Sequence, residues 1–101
     1  MYIVQSVVNV PQEKADEVIG LYQGRSRMVD AYDGFVSFQL LQNERDPGEL
    51  TVHMTWQDEG SYVKWVQSDA FRKVHELEKN YPDQELSGIK PTVRRYKVVA
   101  H

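Results

Sequence analysis

The chain has 101 residues, enough for one domain (1–101) whose core needs no covalent staple. Hydrophobic residues make up 41% and charged residues 27%, an ordinary globular balance, and a formal net charge of −3 leaves no electrostatic footprint for nucleic acid. With no cysteine, disulfides, zinc–thiolate sites, iron–sulfur clusters and a thiol nucleophile are excluded together, which suits a reducing cytoplasm.

Met1 to Ser6 lacks the charged start and long apolar run of a signal peptide, and no stretch approaches the roughly 20 apolar residues of a membrane span. The expectation is a cytoplasmic protein with no membrane partner. Tyr2 to Val10 reads as a strand. Val4, Val8 and Val10 share one face with Ser6 as its polar member, and Ile3, Gln5, Val7 and Asn9 share the other. Pro11 ends the strand and suits a helix start.

Gln12 to Val29 predicts a helix, with Ala15, Val18, Ile19, Tyr22 and Val29 on one face. Its early acids (Glu13, Asp16, Glu17) and late bases (Arg25, Arg27) match the helix dipole, while Gly20 and Gly24 weaken it. Asp33-Gly34 is a turn, and Phe35 to Gln42 and Glu49 to Trp56 are strands joined by a polar loop over 43–48. Asp58 caps a short helix through Val66, and Ser68 or Asp69 caps another to Lys79. Residues 80–91 read as a long irregular loop and Thr92 to Val99 as the last strand.

The order β-α-β-β-α-β is the ferredoxin-like, α+β pattern. Such a sheet keeps helices on one face. Its other face, with Ile3, Val7 and either Phe35 or Val36, is left uncovered and predicts a homodimer that pairs two sheets.

Chemistry centres on residues 65–75. Phe71 and His75 are four apart on the last helix, at the edge of the sector Ala70-Phe71-Val74-Leu77. Spacing alone leaves His75 as either a satisfied core-edge histidine or an iron ligand. Trp65 on an unbroken helix lies about 15 Å from His75, too far to share a small site, but a break at Ser68-Asp69 lets both touch one flat ligand. Otherwise Trp65 fills core. Ser6 is a hydroxyl in a valine row, and Tyr22 carries its hydroxyl on an apolar helix face, so each bonds locally or meets a ligand. His53 reads as a polar strand residue, and Asp58-Glu59 and Asp83/Glu85 as solvated caps and loops. No Ser-His-Asp order, phosphate loop, EF-hand loop or His-Glu-x-x-His motif occurs.

The run Trp65-Val66-Gln67-Ser68-Asp69-Ala70-Phe71-Arg72-Lys73-Val74-His75, after a strand ending Thr55-Trp56, resembles the IsdG-type haem-degrading monooxygenases of the antibiotic biosynthesis monooxygenase superfamily, which are dimeric α+β barrels. The similarity runs from the first strand to Tyr96. It implies that His75 is the proximal iron ligand and that Trp65 presses on and ruffles the haem. Tyr22 and Phe71 would line the pocket, and Arg25 would meet a propionate. The family's first-strand asparagine, which bonds toward iron-bound oxygen, is replaced by Ser6 in this chain.

The resemblance therefore implies a homodimer that takes haem as both substrate and cofactor, with O2, an external electron donor and a reductase as partner. Two other functions fit the residues: a cofactor-independent monooxygenase of the same superfamily acting on a phenolic or polycyclic substrate, and a non-catalytic haem-binding protein, to which the Ser6 departure points.

Overall fold

The computed structural model describes residues 1–79 and 88–101, without the side chains of 77–79. Most of the expected loop over 80–91, including Asp83 and Glu85, and the expected side-chain role of Leu77 lie outside the described residues.

Alternating residues build four antiparallel strands in the order β2-β3-β1-β4: β1 (Tyr2–Asn9), β2 (Phe35–Gln42), β3 (Glu49–Trp56) and β4 (Thr92–Lys97). Both bounds of β2 and β3 match the sequence reading. The last strand stops at Lys97 rather than Val99, and Val98 N then donates to Met1 O at 3.1 Å. In register, Tyr2 lies opposite Trp56 and Val4 opposite Met54. This row faces the helices, where Tyr2, Val4, Leu50, Val52 and Trp56 are buried. The α+β, ferredoxin-like architecture is as expected.

An irregularity between Phe35 and Ser37 decides which aromatic enters the core. Phe35 turns inward, its ring edge-on to Trp56 at 5.6 Å, and Val36 is left exposed. The uncovered face is more polar than expected. Ile3 and Val7 alternate with Gln5, whose Nε2 donates to His53 Nδ1 at 3.1 Å, and with Thr92, Arg94 and Tyr96 across the β4 pairing.

The first helix differs most from the sequence reading. Gln12–Lys14 is one 3-10 turn, α1 spans only Ala15–Gln23, and Met28–Ala31 is a second 3-10 turn. The apolar spacing that includes Val29 ignores the backbone between. Gly24 ends α1, and Arg27 takes a left-handed conformation (φ 59°) that redirects the chain. Arg25 and Arg27 consequently do not sit in the last turn of α1. Ala15, Val18 and Val29 are still buried, so the apolar pattern identified the right residues on the wrong backbone.

Two further helices follow β3. Asp58 caps α2 (Glu59–Val66), its Oδ1 accepting from Ser61 N at 2.7 Å, and these bonds hold its carboxyl below the ordinary carboxylate value. Gly34 adopts φ 83°, and a side chain there would collide with Ser61, which explains glycine at this turn. Helix α3 spans Asp69–Lys79.

The main core gathers Tyr2, Val4, Val29, Trp56 and Trp65 at one end of the sheet. Trp56 is fully buried, and among the described residues its Nε1 has no hydrogen-bond partner. Arg95 closes this end by donating to the Tyr2 hydroxyl, lying 5.2 Å from the Tyr62 ring centre and pairing with Glu59 at 3.6 Å. Burial pushes the Tyr62 hydroxyl pKa up, and Arg95 partly opposes that shift.

Candidate functional site

Ser68 joins α2 to α3 through one side chain. Its hydroxyl donates to the Trp65 carbonyl at 2.6 Å and accepts from Phe71 N at 3.1 Å. The helix break expected at this position is thus a fixed corner rather than a loose hinge. The corner places the Phe71 ring 5.7 Å from Trp65, nearly perpendicular, and the His75 ring 4.0 Å from Phe71.

Trp65 is only 5% exposed because Tyr32 covers its other side, edge-on at 4.9 Å. His75 is exposed, and its Nδ1 lies 3.1 Å from the Phe71 carbonyl oxygen. A carbonyl only accepts, so Nδ1 carries the proton. In its neutral form the ring with Nδ1–H carries its lone pair on Nε2, the arrangement seen when a second partner orients a metal-binding histidine. Among the described residues no three His, Cys, Asp or Glu side chains converge to hold a free metal ion. One histidine nitrogen could hold an iron whose other ligands a porphyrin supplies.

A second cluster forms between α1 and β2. Tyr22 and Phe38 stack at 6.2 Å, and the Arg25 guanidinium lies 3.9 Å over the Phe38 ring. These residues line a cavity of about 440 Å³ together with Ile19, Gln23, Arg27, Leu40 and Gln42. Arg25 is already paired: its two terminal nitrogens donate to the two Asp30 oxygens at 3.0 and 3.3 Å, and only 17% of its side chain is exposed.

Arg27 differs. Its side chain is 69% exposed and reaches Asp30 through one contact of 3.4 Å. Such an exposed pair contributes about 0.2–1 kcal/mol. The left-handed backbone of a non-glycine residue costs about 1–2 kcal/mol. Among the described residues, Asp30 is the group Arg27 meets, through that contact and through Asp30 N, which donates to the Arg27 carbonyl at 3.1 Å.

The sequence-predicted positions thus fall into two groups and a floor. Trp65, Phe71 and His75 form one row at α2–α3, and Tyr22 and Arg25 meet over Phe38 at α1–β2. Ser6 is half-buried on the helix-facing side of β1, opposite Val52 and Val93. The cavity lining includes Tyr22 and Arg25 but not Ser6, Trp65 or His75. The sequence reading missed Phe38, Tyr32 and the Asp30 clasp. Phe38 was visible by alternation in β2. The other two depend on the 3-10 turn, which helical spacing hides.

The family model described as antibiotic biosynthesis monooxygenase matches residues 1–77. A protein named heme-degrading monooxygenase from Listeria welshimeri is 28% identical, with 98% of this chain and 92% of that protein covered. A heme oxygenase (staphylobilin-producing) from Staphylococcus saprophyticus is 26% identical, with coverage of 75% and 74%. Among solved structures, the heme-degrader MhuD of Mycobacterium tuberculosis, with two hemes bound in its active site, superimposes with a TM-score of 0.78 at 17% identity, covering 100% of this chain and 98% of that one. A conserved protein from Methanosarcina mazei gives 0.70 at 23% identity, with coverage of 95% and 90%. At these identities the structural matches establish a shared fold.

Proposed function

Because the chain belongs to the antibiotic biosynthesis monooxygenase family and is an enzyme of the monooxygenase class, we propose that it binds haem through His75 and opens the porphyrin with O2 and an external reductant, releasing iron. The observation that carries this reading is the 3.1 Å contact of exposed His75 Nδ1 with the Phe71 carbonyl oxygen, which orients the ring and keeps Nε2 out of that bond. The relatives named for heme degradation support the same substrate.

When bound, haem supplies the iron that activates dioxygen and the ring that is opened. The chain's own residues hold and orient it. His75 Nε2 would hold the iron, and Phe71 fixes the imidazole both through its carbonyl and by ring contact at 4.0 Å. Trp65, braced by Tyr32, would be the apolar wall against the macrocycle. Ser6 offers one hydroxyl donor from the sheet, where the family carries an amide. Tyr22 and Arg25 form the far wall.

The reading carries with it a homodimer through the uncovered sheet face, a separate reductase and a cytoplasmic setting. Exposed Tyr96, opposite Ile3 on that face, and exposed Val36 support pairing with a second copy. Among the described residues no helix is long and apolar enough to cross a membrane.

A second reading rests on the cavity between α1 and β2, which excludes His75. A phenolic or polycyclic substrate of a cofactor-independent monooxygenase fits its Tyr22-Phe38 wall.

Haemin titration separates the two. The haem reading expects a saturable Soret shift in the wild type that His75→Ala abolishes, and no saturable shift would sink it. Added reductant, under air with catalase present, should then bleach the band. A band that persists would leave haem binding and remove degradation. Ser6→Asn is expected to degrade haem faster, since it restores a longer donor to the same strand position.

A further inference from the structure

We propose that the uncovered sheet face meets a second copy of this chain through a reciprocal ion pair, Arg94 of each copy to Glu49 of the other, about a two-fold axis over Val7. The inference rests on the homodimer of the proposed reading and deepens it by naming the groups that fix how the two sheets meet.

The strand register carries the argument. Arg94 on β4 lies opposite Gln5, two residues before Val7. Glu49 on β3 lies opposite Asn9, two residues after Val7. β3 and β4 flank β1 on opposite sides. Arg94 and Glu49 therefore sit at equal steps from Val7 in opposite directions, one strand across and two residues along, on the same face as Val7. A two-fold axis that lies in this face, passes over Val7 and crosses the Arg94–Glu49 line at right angles carries each residue onto the position of the other. Such an isologous contact occurs twice in the pair and keeps apolar Val7 at its centre.

Within one copy the two charges do not meet. At ordinary strand spacing and rise their backbones are roughly 16 Å apart. Among the described residues neither side chain has an ion pair or hydrogen bond. Arg94 is exposed and Glu49 half-buried, and both line an open groove of about 370 Å³ with Gln5, Val7, Asn9 and Thr92. His53, on the same face, is already bonded to Gln5 at 3.1 Å. A second sheet laid over the groove strips water from both charges, and a charge out of water is tolerated when it is paired. A copy of this chain presents the opposite charge at the required spacing by symmetry alone.

Sedimentation equilibrium of charge-reversed variants tests the pairing. Wild type is expected to be a dimer. Arg94→Glu and Glu49→Arg should each raise its dissociation constant on the order of a hundredfold, because each sets two like-charge pairs in the interface. The first variant is more acidic than wild type and the second less, so an effect of overall charge would move them in opposite directions. An equal mixture of the two variants should form the mixed dimer, in which both ion pairs are restored. The chain carrying both reversals should dimerise as wild type does, and these rescues separate lost pairing from lost fold. A wild-type dimer whose dissociation constant is kept in either single variant overturns the assignment and leaves the dimer standing, as do single variants that neither the mixture nor the double reversal rescues. A monomeric wild type removes the homodimer and the ion pair together.

Discussion

At the corner of α2 and α3 an aromatic stack, Trp65 and Phe71, leads to His75; between α1 and β2 another, Tyr22 and Phe38, leads to Arg25. The polar groups end differently. Arg25 is tied at both terminal nitrogens to Asp30, whereas His75 is tied only at Nδ1, 3.1 Å from the Phe71 carbonyl oxygen. A residue held in a bidentate pair inside the fold is read as structural. On the proposed reading the two clusters divide the labour: one holds shape, and the other would offer a ligand to the haem iron.

This comparison breaks first at Trp65. Removing its ring from between Tyr32 and Phe71 leaves a cavity in the main core, so Trp65→Ala is expected to lose about 3–5 kcal/mol in urea unfolding. A loss below about 1 kcal/mol would mean that the wall is not rigid. Asp30→Ala tests the other cluster. It strands Arg25 and should cost about 1–2 kcal/mol, while haemin titration of the variant should keep the His75-dependent Soret shift. A Soret shift lost together with Asp30 would show that the clusters are not separate.

Ser68→Ala is a smaller change, about 1 kcal/mol from the lost cap, but it loosens the corner that sets Trp65 against Phe71. The expected result is weaker haemin binding with a lower melting temperature. Unchanged binding would make Ser68 a cap and nothing more. Asp58 gives the smallest effect. Its carboxyl pKa is lowered in the folded state, so its contribution is present above the ordinary value of 3.8 and lost as pH falls through the folded value. Asp58→Asn should flatten that acid limb in melting curves taken across the range, and an unaltered limb would remove Asp58 from the account.

The sequence carried the sheet well because alternation has a fixed period, and β2 and β3 were legible to the residue. Ser68 was legible as a cap, and the Phe71–His75 contact followed from a four-residue helical step. The first helix was not. Ala15, Val18 and Val29 keep a helical period, yet Gly24 and the left-handed Arg27 interrupt the backbone between them. That interruption creates the Asp30 clasp, so Arg25 was legible as a site residue and its pairing was not. The cover that Tyr32 places over Trp65 comes from the same segment and was hidden for the same reason.

The most direct test of the central claim is resonance Raman spectroscopy of the ferrous haem complex. The account predicts an iron–imidazole stretching band in the wild type, absent in His75→Ala and restored by added imidazole. A band of equal intensity in His75→Ala without imidazole, or a wild-type spectrum with no such band, would contradict it.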